Sequence, residues 1–256
     1  MARRATKTKT SSQPPNPAPF PYGDYVRARR LLEGALARGP FYALLSGESG
    51  TGKTSLKDDM RAALAPHHLL LYLSATAKAT SVGLARYLAR RFRVTPKRSY
   101  LETVADLVAA LQGQPTTEVF LWLDEADQLP FATLSELRGL AESNGQGRPL
   151  FSVVLSGLPG LRTIVDTPSL FALKRRIDLR CTLEGLRRDE LDAFLLHRFG
   201  SVDRARVSEE FHDELFERTL ATPALLGKVV ACALDLASDK PIREGHLRAA
   251  FDASGL

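Results

Sequence analysis

Gly47-Glu48-Ser49-Gly50-Thr51-Gly52-Lys53-Thr54 is the stretch that decides the fold of this 256-residue chain. It fits the pattern G-x-x-x-x-G-K-[S/T], in which glycines let backbone N–H groups curl around phosphate oxygens. An apolar run, Phe41–Ser46, precedes it, and a helical pattern over about Lys53–Leu64 follows it. The stretch therefore predicts a phosphate-binding loop (P-loop) between a strand and a helix N-terminus, whose partial positive charge favours anions.

Each polar residue of the P-loop has an expected role. Lys53 is expected to reach the β- and γ-phosphates of ATP, and Thr54 to offer its hydroxyl to Mg²⁺. ATP and Mg²⁺ are therefore the expected cofactors. The complete set of loop residues expected to bind nucleotide is Gly47, Glu48, Ser49, Gly50, Thr51, Gly52, Lys53, Thr54 and Ser55.

A second apolar run, Val119–Leu123, ends in two carboxylates, Asp124 and Glu125. Ligands of parallel sheets bind beyond the carboxyl ends of the strands, so both carboxylates should emerge beside the P-loop. Asp124 suits the Mg²⁺ shell, and Glu125 suits polarising the attacking water. A solvated acidic turn is the alternative, which a neighbouring P-loop disfavours. Trp122 is expected to pack in the core.

Three further strands are predicted between helical patterns up to about residue 182, at Leu69–Ser74, Leu150–Leu155 and Ile177–Cys181. Continuous apolar strands alternating with helices predict an α/β fold with a parallel sheet covered on both faces. After this point the strands stop. Four helical patterns follow, with Thr222 and Pro223 suited to the cap and first position of the third. They predict a small all-helical lid domain.

Composition adds expectations about partners and domain organisation. The net charge of +6 and the pI of about 9.5 favour nucleic acid, although a solvated basic surface is an equal alternative. Residues 1–20 are basic and proline-rich with no acidic residue, which is typical of a flexible tail. The expected units are therefore this tail, an ATPase domain over 21–182 and the lid domain over 183–256.

Several classes of protein are disfavoured by the sequence. Two distant cysteines, Cys181 and Cys232, without a CxxC pattern, indicate neither a zinc site nor a disulfide framework. No apolar run approaches the roughly 18–20 residues of a membrane span, and the N-terminus lacks the apolar core of a signal peptide. A cytoplasmic protein without membrane contact is expected.

Polar residues near the last two strands have two interpretations each. Ser156 could bond the γ-phosphate or the attacking water, or it could cap the helix expected near Pro159. Arg175 and Arg176 directly precede the last strand. An arginine supplied by a neighbouring subunit can stabilise the charge of phosphoryl transfer. The alternative is a basic helix end favoured by the helix dipole.

The order of these motifs resembles that of AAA+ ATPases, which have a P-loop αβα sandwich and a helical lid. Within that class the chain is similar to the ExeA/GspA-type ATPases and to transposition regulators of the TnsC, MuB and IstB type. Leu123–Leu129 resembles the family's I-D-E-A-Q-N-L, and Val153–Leu161 resembles I-V-L-V-G-Q-P-E-L. Leu173–Leu186 resembles L-R-Q-R-I-x-x-R-Y-x-L-x-P-L, and there Arg176 matches the family arginine.

The resemblance also extends to the adenine pocket and the lid. Tyr25 falls where the family has a histidine near the adenine. The family's lid helix carries Gly-x-Pro-Arg, whose arginine can act as a nucleotide sensor, but Ala224 replaces that arginine here. Lys228, one turn further, is the expected substitute. Slow or partner-stimulated hydrolysis is therefore implied.

The resemblance implies an ATPase that oligomerises on double-stranded DNA, as a ring or a helical filament. Such an ATPase regulates transposition by selecting a target and recruiting a transposase or an adaptor protein. The candidates for DNA contact are Lys78, Lys97 and Arg98; each alone fits a solvated cation better, and only as a group do they suggest DNA contact. The alternative function is a soluble secretion-type ATPase that switches a protein complex.

Overall fold

The computed structural model describes residues 18–256 except 114–117, 143–148, 201–204, 206 and 239–240. Nearly all of the expected basic tail, up to residue 17, lies outside the described residues. In chain order the helices and strands are α1 (Gly23–Leu36), β1 (Tyr42–Gly47), α2 (Lys53–Ala63), β2 (His68–Ser74), α3 (Ser81–Arg91), α4 (Tyr100–Gln112), β3 (Glu118–Asp124), α5 (Phe131–Ala141), β4 (Ser152–Gly157), α6 (Gly160–Val165), α7 (Phe171–Lys174), β5 (Ile177–Leu183), α8 (Leu191–Phe199), α9 (His212–Arg218), α10 (Pro223–Ala237) and α11 (Glu244–Ser254).

The strands form a single parallel sheet in the order β2-β3-β4-β1-β5. The α/β expectation is therefore confirmed, and an all-helical region follows the last strand. Since all strands run the same way, the carboxyl ends of β1, β3 and β4 lie at one edge of the sheet. That edge carries the P-loop, Asp124 and Ser156.

The three central strands, β1, β3 and β4, are buried on both faces, which explains why they are largely apolar. The edge strand β5 instead carries the exposed residues Asp178 and Arg180. Along β3, Phe120 and Trp122 pack with α1, α2 and the C-terminal helices. Leu121 and Leu123 point the other way and pack with α3, α4 and α5. Trp122 is fully buried, as expected from the sequence.

The side chain of Thr80 caps α3, whereas that of Thr222 makes no capping bond at the start of α10. Thr80 accepts a hydrogen bond from the backbone N–H of Gly83 at 3.0 Å, at the start of α3. Thr222 does occupy the cap position of α10, but its hydroxyl donates to the carbonyl of Thr219 at 3.0 Å. The expected cap position is therefore confirmed, but this fully buried hydroxyl makes no capping hydrogen bond to the backbone of α10.

The helical region after β5 returns to the P-loop. The backbone N–H of Ala224, in the first turn of α10, donates to the carbonyl of Gly50 at 3.3 Å. The backbone N–H of Leu186 donates to the carbonyl of Ala221 at 2.8 Å, which ties the segment after β5 to the start of α10. Within the described residues, every helix is too short or too polar to cross a membrane.

Candidate functional site

The P-loop joins the end of β1 to Lys53, the first residue of α2. Gly50 and Gly52 adopt left-handed conformations with φ of 88° and 97°, which residues with a Cβ rarely take. Space is also short, since a Cβ on Gly50 would lie 2.8 Å from the Cβ of Ala224. The loop therefore wraps tightly around the start of α2, the arrangement that binds phosphate elsewhere.

Lys53 folds over the P-loop. Its Nζ donates to the carbonyl oxygens of Gly47 and Glu48 at 2.7 and 2.9 Å. Burial lowers the pKa of Lys53, while the charges of Asp124, Glu48 and Asp127 oppose that shift. Its hydrogen-bond partners within the described residues are neutral carbonyls, so a phosphate oxygen would stabilise the ammonium further. This surrounding fits ATP.

Asp124 is the polar centre of the site and is 8% exposed. Its Oδ1 accepts from the hydroxyl of Ser156 at 2.9 Å and from the backbone N–H of Glu125 at 3.1 Å. Its Oδ2 accepts from the hydroxyls of Tyr72 at 3.2 Å and Thr54 at 3.4 Å. Thr54 and Asp124 thus place two oxygen ligands side by side, and oxygen is the donor that Mg²⁺ prefers. These two residues would hold the ion.

Glu125 turns out of the sheet directly after β3. Its backbone is left-handed with φ of 54°, a conformation that costs a residue with a Cβ roughly 1–2 kcal/mol. The exposed carboxylate accepts a hydrogen bond from the hydroxyl of Ser74 at 2.7 Å. Glu125 borders the same cavity as the P-loop.

Ser156 is held against Asp124. The expectation that it caps a helix is wrong, because β4 continues to Gly157 and α6 begins only at Gly160, with Pro159 at the cap. Its fully buried hydroxyl instead donates to Oδ1 of Asp124. In this arrangement Ser156 orients Asp124.

Three residues of the site were not among the sequence candidates: Tyr72, Ser74 and Asp127. Asp127 borders the cavity, and its Oδ1 accepts from the backbone N–H of Leu158 at 2.9 Å. A Cβ on Gly157 would lie 2.3 Å from that oxygen, so the turn after β3 fits closely against the end of β4. Asp127 follows Asp124 and Glu125 in one acidic run, a signal that could have identified it.

Two adjoining cavities lie at this edge of the sheet. The larger has a volume of about 690 Å³ and is bordered by the P-loop, Asp124 and Glu125. The smaller has a volume of about 220 Å³ and lies between α1, the P-loop and the C-terminal helices. Gly50, Gly52 and Ala224 line both. Phosphates suit the first cavity and a base suits the second.

Tyr25, expected near the adenine, lies in the wall of the smaller cavity. Its hydroxyl donates to Oδ2 of Asp59 at 2.8 Å, and its ring packs against Gly52. Burial, followed by the hydrogen bond to Asp59, raises the pKa of Tyr25. The ring therefore remains neutral and presents an apolar edge to the cavity.

Comparison with known proteins fits this geometry. A protein-family model described as an AAA domain matches residues 38–165, which is half of the chain. The matched region runs from the end of α1 to the end of α6 and includes the P-loop and the end of β3. The chain belongs to this AAA domain family. Nucleotide binding follows from that membership.

General secretion pathway protein A of Aeromonas hydrophila is 29% identical to this AAA domain protein over 173 residues. The match covers 65% of this chain but only 31% of that relative.

Solved structures share the fold at low identity. Cdc6p of Pyrobaculum aerophilum has a TM-score of 0.67 at 18% identity and covers 96% of this chain and 70% of its own. The ORC1 protein of Aeropyrum pernix, solved in complex with DNA, has a TM-score of 0.59 at 19% identity, with 90% and 64% covered. RuvB of Thermotoga maritima, as a variant, has a TM-score of 0.57 at 16% identity, with 90% and 68% covered. These likenesses support the AAA fold.

Lys228 of this AAA domain protein is not brought to the P-loop. It is exposed, its Nζ donates to the carbonyl of Ser254 at 3.3 Å, and neither cavity contacts it. The end of α11 offers free carbonyls that attract a cation. Lys228 therefore stabilises the contact between α10 and α11 in this structure and does not replace an arginine at Ala224.

Arg175 and Arg176 lie apart from the P-loop of their own chain. Arg176 forms an ion pair with Glu142, with Nε 2.9 Å from Oε1. The guanidinium of Arg175 lies 5.7 Å from the ring centre of Phe171, and both residues border a separate cavity of about 370 Å³. Arg176 thus has a charged partner within the chain, while Arg175 has an aromatic one.

A cluster of His67, His68 and Glu118 lies at the other edge of the sheet and is the one group of metal-ligand type among the described residues. His68 and Glu118 stand opposite each other in the strand register, with Nε2 2.9 Å from Oε2. Metal-bound histidines donate their second N–H to an acceptor, but Nδ1 of His68 is buried without a partner in the described structure. We therefore interpret this cluster as a cross-strand pair.

Proposed function

We propose that the chain is a magnesium-dependent ATPase that assembles on double-stranded DNA and regulates transposition through a transposase or an adaptor protein. The observation that carries the ATPase part of the proposal is the meeting of Lys53, Thr54, Asp124 and Glu125 around one cavity. The transposition part rests on the resemblance of the sequence motifs. In this proposal residues 21–182 form the ATPase domain and 183–256 the lid domain, following the basic tail.

Each side chain at this site has one role in the proposed hydrolysis. Lys53 and the backbone N–H groups of the P-loop bind the β- and γ-phosphates. Thr54 and Asp124 hold Mg²⁺, whose chemistry is to neutralise charge on the transferring phosphoryl group. Glu125 orients the attacking water and accepts its proton once the carboxylate has exchanged the hydroxyl of Ser74 for that water.

The position of Arg175 and Arg176 supports the proposed assembly of several subunits. They directly precede β5, whose first residue, Ile177, pairs with Tyr42 at the start of β1. β1 has six residues and spans about 20 Å before the P-loop begins. The arginines therefore lie at the sheet edge remote from their own P-loop, and they suit the nucleotide of a neighbouring subunit in a ring or a helical filament.

An exposed basic stripe supports the DNA part of the proposal. Lys78 precedes α3, Arg86 and Arg90 lie one turn apart on the exposed side of that helix, and Arg93 follows its end. The 11 residues of α3 span about 16 Å. Cations arranged in a line suit phosphate contacts, which position a protein on DNA without reading its sequence.

The other two candidates for DNA contact lie beyond this stripe. Lys97 and Arg98 are exposed in the segment before α4, and Nζ of Lys97 is 3.7 Å from Oδ2 of Asp106. The carboxylate of Asp106 offsets part of the charge of Lys97, which weakens the expected attraction of Lys97 for a DNA phosphate. DNA is also present with the ORC1 protein in its solved complex, which is a property of that fold neighbour.

A second candidate function is a secretion-type ATPase that switches a protein complex. One observation favours it: the curated relative with significant similarity is named as a general secretion pathway protein. In that case the α3 stripe would face solvent or an acidic protein, and nucleic acid would not affect assembly.

The test is electron microscopy of the protein with ATP, with and without duplex DNA, together with DNA titrations at several salt concentrations. We expect ATP-dependent rings or filaments on DNA. Arg86→Ala with Arg90→Ala should make the slope of log K against log salt shallower by about 2, if each arginine contacts one phosphate. Arg27→Ala with Arg30→Ala on α1 removes the same charge elsewhere and should leave the slope unchanged.

Two outcomes would contradict the DNA proposal. DNA binding of equal strength without nucleotide would rule out ATP-dependent assembly as the switch. No binding at low salt, by protein that oligomerises with ATP, would favour the secretion-type alternative.

A further inference from the structure

Lys57 is a buried ammonium close to the phosphate site that none of the proposed roles uses. It lies on α2, one turn after Thr54, and its side chain is 9% exposed. Its Nζ is 3.0 Å from Oδ1 of the exposed Asp58 and 4.3 Å from the ring centre of Tyr72. A buried cation over an aromatic face is attracted to the ring, so Lys57 fixes the position of that ring.

Tyr72 connects Lys57 to the proposed metal ligand. It stands on β2, next to β3, and its hydroxyl donates to Oδ2 of Asp124 at 3.2 Å. This is the carboxylate oxygen that faces the hydroxyl of Thr54 at 3.4 Å. The carboxylate can only accept, so the phenol O–H is the donor in this hydrogen bond.

The two oxygens of Asp124 are thus oriented by different neighbours. Ser156 and the backbone of Glu125 hold Oδ1, while Tyr72 holds Oδ2, the oxygen nearest Thr54. Hydrogen bonds to a ligating carboxylate orient it and typically change metal affinity by about 10–100-fold when they are removed. A ring fixed by Lys57 makes this orientation more rigid than a free phenol would.

We propose that Tyr72 is a positioning residue for magnesium, holding Oδ2 of Asp124 beside Thr54, and that Lys57 acts through the ring of Tyr72. This inference rests on the proposed ATPase function. It gives a role to Tyr72 on β2 and to the buried Lys57 on α2.

The experiment is a Mg²⁺ titration of fluorescent ATP binding, with Mn²⁺ binding followed by electron paramagnetic resonance as a readout independent of turnover. Tyr72→Phe keeps the ring under Lys57 but lacks the hydroxyl. It should raise the half-saturating Mg²⁺ concentration about tenfold and leave ATP binding in a metal chelator within about twofold. Tyr100→Phe, on α4 and remote from Asp124, is the control and should behave as wild type.

Lys57→Met tests the second part, because methionine fills the site without the charge. It should raise the Mg²⁺ midpoint less than Tyr72→Phe does. The double variant should shift the midpoint no further than Tyr72→Phe alone, since Lys57 acts through Tyr72. Additive shifts would overturn the role of Lys57.

A Tyr72→Phe midpoint equal to that of Tyr100→Phe would overturn the role of Tyr72. That result differs from failure of the proposed function. If ATP binding by the wild-type protein were the same with and without Mg²⁺, the metal-dependent ATPase itself would be contradicted.

Discussion

Asp124 and Glu125 are adjacent in the chain, yet their carboxylates have different surroundings. Asp124 is buried and accepts hydrogen bonds on both oxygens, which leaves it little freedom to turn. Glu125 is exposed and is held by the hydroxyl of Ser74. A carboxylate fixed on both sides suits a metal ligand, whereas one held by a single hydroxyl can rotate toward water.

Glu125→Gln should therefore keep ATP binding and its Mg²⁺ dependence but lose about 10²–10⁴-fold in hydrolysis, because an amide cannot accept the proton from water. Phosphate release and fluorescent ATP titration would measure the two properties. Glu102→Gln, on the exposed side of α4, is the control for loss of one carboxylate. Near-normal turnover in Glu125→Gln, alongside inactive Asp124→Ala, would contradict the assignment.

At the scale of single residues, the sequence predicts what lies in one continuous motif. Lys53, at the start of α2, and Asp124, at the end of β3, can be predicted because each lies in a recognisable sequence motif. Ser74 was not, because it reaches the site only through the pairing of β2 with β3, where it stands opposite Asp124. Lys228 shows a second limit of prediction from sequence. Helical spacing predicts on which face of α10 this lysine lies, but not that its Nζ will donate to the carbonyl of Ser254.

At the scale of elements, the contact between the P-loop and α10 should make Gly50 more sensitive to substitution than Gly39, which is also left-handed. Gly39 has φ of 104° and a Cβ there would meet nothing within 4 Å, so Gly39→Ala isolates backbone strain of about 1–2 kcal/mol. Gly50→Ala adds a clash with Ala224 to the same strain. Chemical denaturation should show a larger loss for Gly50→Ala, and only that variant should lose ATP affinity. Equal losses would mean that α10 moves aside freely.

Element positions could be predicted closely, and their ends less so. The start of α10 at Pro223 was expected from the preference of proline for the first helical position and is confirmed in the structure. β1 was expected to end at Ser46 with the apolar run, but its backbone pairing continues to Gly47 opposite Leu183. Apolar patterns record burial, whereas strand ends are set by hydrogen bonds that side-chain type does not report.

At the scale of the whole molecule, Arg175 and Arg176 should act on the nucleotide of another subunit. Alanine variants of either should bind ATP nearly normally and hydrolyse it poorly. Mixing Arg175→Ala with Lys53→Ala should restore part of the turnover, because one subunit supplies the arginine and the other the nucleotide site. No recovery in proven mixed assemblies would indicate a structural role.

The ion pair between Arg176 and Glu142 offers a way to tell which of the two arginines acts on the neighbouring nucleotide. If Arg176 acts on the neighbouring nucleotide it must leave Glu142, so Glu142→Gln should alter turnover. If Arg175 acts, Glu142→Gln should leave turnover unchanged.

The order of the strands is the part of the architecture that the sequence could not supply. Apolar runs and helical spacing predict parallel strands, but nothing local states that β4 lies between β3 and β1. That order brings Ser156 against Asp124.

The smaller cavity has a consequence for how the protein is made. Its walls come from Tyr22 and Tyr25, from the P-loop, and from Phe194 and Pro223. A ribosome delivers these segments in that order, so the P-loop is synthesised long before the last wall exists. Domains generally fold as units while synthesis proceeds. A base bound in this cavity would therefore find its complete enclosure only after the segment around Pro223 has been synthesised, and it would join segments that are made at different times.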